Sequence, residues 1–131
     1  MKKVLLVDDD TLLRELLGLI VEKHGYELLK AENGQDAMER IGSVKPDLIV
    51  LDIMMPVMDG REFLAWFKNQ PGEKPTVLVL TSMQDNQLYK ELYELGATKV
   101  ATKPIAMKVL ENLIRELVGD EVAALHSKDA T

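Results

Sequence analysis

The sequence predicts a doubly wound α/β fold built on a five-stranded parallel sheet. Short aliphatic segments typical of buried strands alternate with segments whose apolar residues recur at helical spacing, and this pair occurs five times along the chain. Three strand segments, KVLLV, DLIVLD and PTVLVLTS, are nearly continuous aliphatic runs. Such runs are expected when helices cover both faces of a parallel sheet.

The predicted elements follow one another in strict alternation. The predicted strands are residues 3–7, 26–31, 47–52, 75–82 and 98–103. The predicted helices are residues 11–25, 34–43, 61–69, 85–97 and 106–118. Together they define one domain over residues 1–119, and we interpret residues 120–131 as a helix extension or a tail.

Each element has its own local signal. The first strand stops at three aspartates, after which leucines recur at helical spacing. The second strand has the weakest pattern, but Asn33-Gly34 gives the second helix a clear start. The third and fourth strands are aliphatic runs that lead into amphipathic segments, and Gly96 stands where a left-handed residue would end the fourth helix. A short fifth strand and a final helical segment complete the pattern.

Composition limits the classes of function. The chain has 131 residues, of which 47% are hydrophobic, and this fits one globular domain with a core. The net charge of -6 argues against nucleic-acid binding, because phosphate backbones are held mainly by clustered Lys and Arg. The chain has no cysteine, which excludes disulfides and thiolate metal sites. Because nothing then indicates an oxidising compartment, we expect a cytoplasmic location. No run of residues is long and apolar enough to span a bilayer, so we expect a soluble protein without membrane contact.

Polar side chains that can take part in binding or catalysis follow four of the five predicted strands. They are Asp8, Asp9 and Asp10 after the first strand, Asp52 after the third, Thr81-Ser82 after the fourth and Lys103 after the fifth. The carboxyl ends of parallel strands meet at one edge of the sheet, where doubly wound proteins bind their ligands. We therefore expect these residues to converge there. For Asp10 alone, a helix N-cap is the preferred interpretation.

The expected cluster of aspartates calls for a cation. Like-charge repulsion among Asp8, Asp9 and Asp52 should raise at least one carboxyl pKa unless a positive charge neutralises the group. Carboxylate oxygens without histidine or cysteine suit Mg2+ or Mn2+. A metal ion, Lys103 and the hydroxyl of Thr81 could together neutralise a phosphoryl group in transfer, and Asp52 is the natural acceptor.

These motifs resemble the receiver domain of the response regulators of two-component systems. The resemblance rests on Asp8-Asp9, the segment DIMMPVMDG that begins at Asp52, Thr81-Ser82 and Lys103-Pro104, and it extends from Lys3 to about Val118. It implies a flavodoxin-like (βα)5 fold with strand order 2-1-3-4-5.

The resemblance also implies a role for each matching residue. Asp52 would be the phosphoacceptor, supplied by a sensor histidine kinase, a phosphotransfer protein or a small phosphodonor. Asp8, Asp9, Asp52 and the backbone carbonyl of Met54 would be the protein ligands of Mg2+. Thr81 and Lys103 would bind the phosphoryl group and act in switching. Pro104 would follow a cis peptide bond, and Asp59-Gly60 would shape the loop under the site.

One position departs from the family pattern. Many members carry an aromatic residue three positions before the lysine, where its rotamer change couples the site to the output face, but here the residue is Val100. A valine has few rotamers and no ring, so this coupling cannot operate in its usual form. Tyr89 and Tyr93 lie one helical turn apart and offer either a substitute contact or a pair that merely packs on its neighbours.

Several functions compete. The leading one is a switch that is controlled by phosphorylation, acts on a partner or output domain through the face of the fourth helix, fifth strand and fifth helix, and is not an enzyme in its own right. The last two helices are also a candidate surface for a homodimer. The alternative is a pseudo-receiver that binds proteins without phosphorylation. A phosphatase with an aspartyl nucleophile would require a general acid at the position of Met54. A flavin-binding protein would require a phosphate-binding loop after the first strand, where this chain has three aspartates.

Overall fold

Five parallel strands and five helices alternate along residues 2–55 and 57–119, which are the residues that the computed structural model describes. The strands are β1 (Lys3–Val7), β2 (Glu27–Ala31), β3 (Leu48–Asp52), β4 (Thr76–Thr81) and β5 (Lys99–Thr102). The helices are α1 (Thr11–Lys23), α2 (Gly34–Ile41), α3 (Gly60–Lys68), α4 (Asn86–Glu94) and α5 (Met107–Val118). The predicted extension over residues 120–131 lies outside the described residues.

The sheet order is β2-β1-β3-β4-β5, which confirms the predicted fold class and strand order. Every neighbouring pair is parallel, and the direction of winding reverses between β1 and β3. The predicted element bounds differ from the observed ones only near the ends. The fourth helix, for example, was predicted to run to residue 97, whereas α4 ends at Glu94 because Gly96 takes a positive φ of 111°.

The sheet is buried on both faces, as its aliphatic strands require. Side chains alternate along each strand, so Leu5 and Val7 face one hydrophobic cluster while Val4 and Leu6 face the other. The first cluster is covered by α2, α3 and α4, and the second by α1 and α5. This double burial leaves the strand ends as the places where polar side chains can meet.

Short polar side chains fix where the helices begin. Asp10, Asn33, Asp59 and Asp85 each cap a helix by accepting hydrogen bonds from backbone N–H groups of its first turn. The predicted cap role of Asp10 is confirmed, because its Oδ1 lies 3.0 Å from Leu12 N and 3.3 Å from Leu13 N. None of the helices in residues 2–55 and 57–119 has the length and apolar character needed to cross a lipid bilayer.

A buried carboxylate ties α5 to the end of α1. Glu111 Oε2 lies 2.9 Å from His24 Nε2 and 3.0 Å from Lys23 Nζ, and its Oε1 lies 3.5 Å from Lys108 Nζ. The hydrogen bonds with His24 and Lys23 lower the pKa of Glu111 to about 2 from its ordinary 4.5. His24 and Lys23, at the end of α1, therefore hold α5 against that end through Glu111.

Glu111→Gln is expected to lower the free energy of unfolding near neutral pH and to have a much smaller effect in acid. A carboxyl pKa of about 2 in the folded protein, against 4.5 ordinarily, means that the ionised form stabilises the fold above pH 4.5 and that this stabilisation is lost as the pH falls toward 2. Urea unfolding at several pH values measures the difference. Glu116→Gln, an exposed change on the same helix, is the control. A deficit for Glu111→Gln that stays constant across this range would contradict the assignment.

Candidate phosphoryl-transfer site

The ends of β1, β3 and β5 bring three carboxylates and one ammonium together, as the sequence predicted. Oxygen atoms of Asp8, Asp9 and Asp52 all lie within 4.8 Å of one another. The Nζ atom of Lys103 lies 3.0 Å from Asp8 Oδ2 and 3.6 Å from Asp52 Oδ1. The site is therefore a compact group of opposite charges at one edge of the sheet.

Burial makes these charges interact strongly. Asp8 is 1% exposed and Asp52 is 7% exposed. Burial raises the pKa of Asp52 above its ordinary value and the negative charge of Asp8 raises it further, while Lys103 and the backbone N–H of Met54 only partly offset the rise. Burial alone would lower the pKa of Lys103, but its hydrogen bond to Asp8 and the charges of Asp8 and Asp52 outweigh burial and raise it. One ammonium is thus shared by two carboxylates that repel each other.

The donor set fits a small, hard cation. Asp8, Asp9 and Asp52 offer oxygen ligands, Asp9 is exposed at the mouth of the group, and neither histidine nor cysteine takes part. Oxygen ligands of this kind suit Mg2+ or Mn2+. A divalent ion here would relieve the repulsion that raises the pKa of Asp52.

The loop between β3 and α3 constrains Asp52 through backbone contacts. Met54 N donates to Asp52 Oδ1 over 3.3 Å, and Gly60 N donates to Ile53 O over 3.1 Å. A Cβ atom on Gly60 would lie 2.5 Å from the carbonyl oxygen of Asp52, so only glycine fits this position. Val57 adopts a positive φ of 69°, which is uncommon for a β-branched residue and marks the loop as tightly constrained.

Thr81 stands at the end of β4, beside the end of β5. It is fully buried, and its Oγ1 accepts a hydrogen bond from Met83 N over 3.1 Å. In the sheet register it pairs with Thr102, and its carbonyl accepts from Lys103 N over 2.8 Å. The peptide bond between Lys103 and Pro104 is cis. The main chain therefore fixes Thr81 and Lys103 relative to each other.

The departure at Val100 is accompanied by two tyrosine contacts that the sequence left undecided. Val100 lies in β5, 8% exposed, with an aliphatic side chain that offers no hydrogen bond. Tyr93 on α4 accepts a hydrogen bond from Val100 N over 3.1 Å. Tyr89 reaches Thr102, with 2.6 Å between the two hydroxyl oxygens. Both tyrosines thus do more than pack, and their spacing of one helical turn was the only sequence signal for them.

Comparison with known proteins identifies the class that this fold and site represent. Residues 4–115 match the family model described as the response regulator receiver domain, and the chain belongs to this family. It is a signalling domain of two-component systems.

Among curated relatives, the transcriptional regulatory protein PhoP of Bacillus subtilis, named for alkaline phosphatase synthesis, is 36% identical over 129 residues, which cover 97% of this chain and 53% of PhoP. The transcriptional regulatory protein CrdR of Helicobacter pylori is 34% identical over 92% of this chain and 56% of its own length. The chain therefore spans about half the length of these two regulators. The sporulation initiation phosphotransferase F of Bacillus subtilis is 32% identical and is covered over 92% of its length.

Solved structures agree with the family and the fold. The receiver domain of a signal transduction histidine kinase from Syntrophus aciditrophicus is 32% identical, with a TM-score of 0.81 and 91% of each chain covered. The chemotaxis response regulator CheY4 of Vibrio cholerae is 30% identical, with a TM-score of 0.82, and the match covers 89% of this chain and 98% of CheY4. The predicted family and fold are both confirmed.

Proposed function

We propose that residues 1–119 form a receiver domain whose Asp52 accepts a phosphoryl group in a Mg2+-dependent reaction and thereby changes the conformation of the domain. The observation that carries the proposal is the position of Asp52, which is buried between the carboxylate of Asp8 and the ammonium of Lys103 at the sheet edge. A carboxylate placed in this way is constrained, shielded from water and close to a fixed positive charge.

The chemistry is the in-line transfer of a phosphoryl group from a nitrogen or oxygen atom of the donor to a carboxylate oxygen of Asp52. An ionised oxygen of Asp52 forms a bond to phosphorus while the bond from phosphorus to the donor breaks, and the electron pair leaves with the donor. The donor is a phosphohistidine of a sensor kinase or phosphotransfer protein, or a small acyl phosphate. The product is an aspartyl phosphate at Asp52.

The remaining site residues bind and orient the phosphoryl group. Lys103 Nζ, already within 3.6 Å of Asp52, would pair with a phosphoryl oxygen. Thr81 Oγ1 accepts from Met83 N in the structure and therefore keeps its own proton for donation to a second oxygen. Asp8, Asp9, Asp52 and the carbonyl of Met54 would hold Mg2+, which when bound neutralises charge on the phosphoryl oxygens.

The partners follow from this role. A sensor histidine kinase or phosphotransfer protein in the cytoplasm would supply the phosphoryl group. A downstream protein or output domain would recognise the face formed by α4, β5 and α5, where Tyr93, Met107 and Val109 are exposed. The same face could pair with that of a second copy, which would make a homodimer.

Intact mass spectrometry tests the proposal directly. Incubation with acetyl phosphate and Mg2+ is expected to add one phosphoryl group, about 80 Da, through an acyl phosphate linkage. The adduct should disappear in Asp52→Asn and when Mg2+ is chelated. Asp59→Asn is the matched control, because asparagine also caps helices and Asp59 lies in the same loop outside the carboxylate group. A wild-type protein that takes up no phosphoryl group would leave the pseudo-receiver as the better account.

A further inference from the structure

We infer that Tyr89 replaces the missing aromatic residue at position 100 by linking the phosphoryl site to α4 and β5 through hydroxyl groups. The inference rests on the proposed function and concerns how its signal leaves the site. The residues involved are Thr81, Met83, Tyr89 and Thr102, which we call the hydroxyl relay.

The relay is a continuous series of hydrogen bonds. Met83 N donates to Thr81 Oγ1 over 3.1 Å, so the side chain of Thr81 holds the loop between β4 and α4. The carbonyl of the same residue, Met83, accepts from the Tyr89 hydroxyl over 2.9 Å. The Tyr89 hydroxyl also lies 2.6 Å from Thr102 Oγ1. One side chain on α4 therefore contacts both the loop behind Thr81 and the strand that ends beside Lys103.

The direction of these bonds follows from the number of protons. A tyrosine hydroxyl has one proton, and a carbonyl can only accept, so Tyr89 donates to Met83 O. Thr102 must then donate its own proton to the Tyr89 oxygen. Each hydroxyl proton then has one acceptor, so the loss of one hydroxyl changes the partner available to the next.

The relay would respond to phosphorylation at its first bond. When Thr81 turns its hydroxyl toward a phosphoryl oxygen, the acceptor of Met83 N moves with it, and the loop must follow or lose that bond. Movement of Met83 displaces the carbonyl to which Tyr89 donates. The displacement reaches α4 directly and β5 through Thr102, without a rotamer change at Val100.

A second tyrosine contact makes the relay testable by comparison. Tyr93 also joins α4 to β5, through its hydrogen bond from Val100 N, but none of its described contacts reaches the β4–α4 loop. Four residues along a helix and two residues along a strand both span about 6 to 7 Å. The two tyrosines on α4 can therefore each contact one of two alternate residues of β5. Tyr93 therefore provides a control: its hydroxyl also connects α4 with β5, but it is not part of the hydroxyl relay.

The experiment follows backbone amide shifts of the full chain by NMR after addition of Mg2+ and beryllofluoride, a mimic of the phosphoryl group on aspartate. In the wild type, shifts are expected at Thr81 and also at Leu92 on α4 and Ala101 on β5. In Tyr89→Phe the shift at Thr81 should remain while those at Leu92 and Ala101 are lost. Tyr93→Phe should keep the full response, and Thr102→Val should lose the shift in β5 while keeping the one at Leu92 on α4.

Phosphoryl uptake from acetyl phosphate, measured by intact mass in every variant, separates this inference from the proposed function. A wild type without uptake refutes both. Uptake by the wild type together with an unchanged response in Tyr89→Phe overturns the relay alone. Equal loss of response in Tyr89→Phe and Tyr93→Phe also overturns it, since general loosening between α4 and β5 would then explain the effect.

Discussion

Gly60→Ala is expected to destabilise the protein by about 3 kcal/mol, the upper part of the range for overpacked sites. An added Cβ would lie 2.5 Å from the carbonyl oxygen of Asp52 and 2.9 Å from both the Cα and the Cδ1 of Ile53. Two of these atoms belong to the backbone of β3 and of the residue that follows it, so they cannot move aside as the end of a flexible side chain can. Relief requires α3 to shift away from the strand end.

The matched control is Gly18→Ala in the middle of α1. No atom lies within 4 Å of a Cβ added there, and alanine is a better helix former than glycine, so this variant should gain roughly 0.5–1 kcal/mol. Urea unfolding of both variants beside the wild type measures the contrast. The prediction is wrong if Gly60→Ala unfolds at the same urea concentration as the wild type.

The same change should disturb the site, because the crowded atom belongs to Asp52 itself. Moving the main chain at Asp52 alters the position of its carboxylate relative to Lys103, now 3.6 Å away. Reactions that depend on fixed geometry are sensitive to displacements of this kind. Gly60 thus connects the packing of α3 with the placement of the proposed phosphoacceptor.

The fold was predictable because its signals are local and repeated. Aliphatic strands and amphipathic helices alternate without interruption, and parallel winding then determines which strand ends meet. The site residues Asp8, Asp52, Thr81 and Lys103 could be selected because each ends a strand or directly follows one. The first and the last of them are 95 residues apart in sequence. The position along the element carried the information in each case.

The contacts that sequence did not reveal join surfaces of helices to distant elements. Glu111 lies in an amphipathic helix, where a glutamate is normally expected to be exposed to solvent. Its partner His24 lies 87 residues earlier in the sequence. Tyr89 and Tyr93 show helical spacing, but that spacing does not indicate which strand atoms their hydroxyls reach. Such contacts depend on the distance of each helix from the sheet and on its rotation about its own axis. The local spacing of residues predicts neither.

Asp52→Asn is expected to stabilise the metal-free protein. Without metal, burial and the charge of Asp8 raise the pKa of Asp52, so its ionised form disfavours the folded state. Stability is therefore lost as the pH rises from the ordinary carboxyl pKa through the raised one. Asparagine has nearly the same shape and no charge. We expect Lys103 to keep in the variant the contact that it makes with Asp8, which is 3.0 Å in the wild type. The metal-free variant should therefore melt at a higher temperature than the metal-free wild type.

Adding Mg2+ should narrow or invert this difference. A ligand that binds only the folded state at about 100 times its Kd stabilises a protein by about 2.7 kcal/mol, and the wild type has all three carboxylates to bind it. The variant has lost one of them and should gain much less. Thermal unfolding in EDTA and across a Mg2+ titration measures both limits, with Asp59→Asn expected to follow the wild type throughout. A variant that is less stable than the wild type in EDTA would show that Asp52 stabilises the empty site, contrary to the charge repulsion inferred from its surroundings.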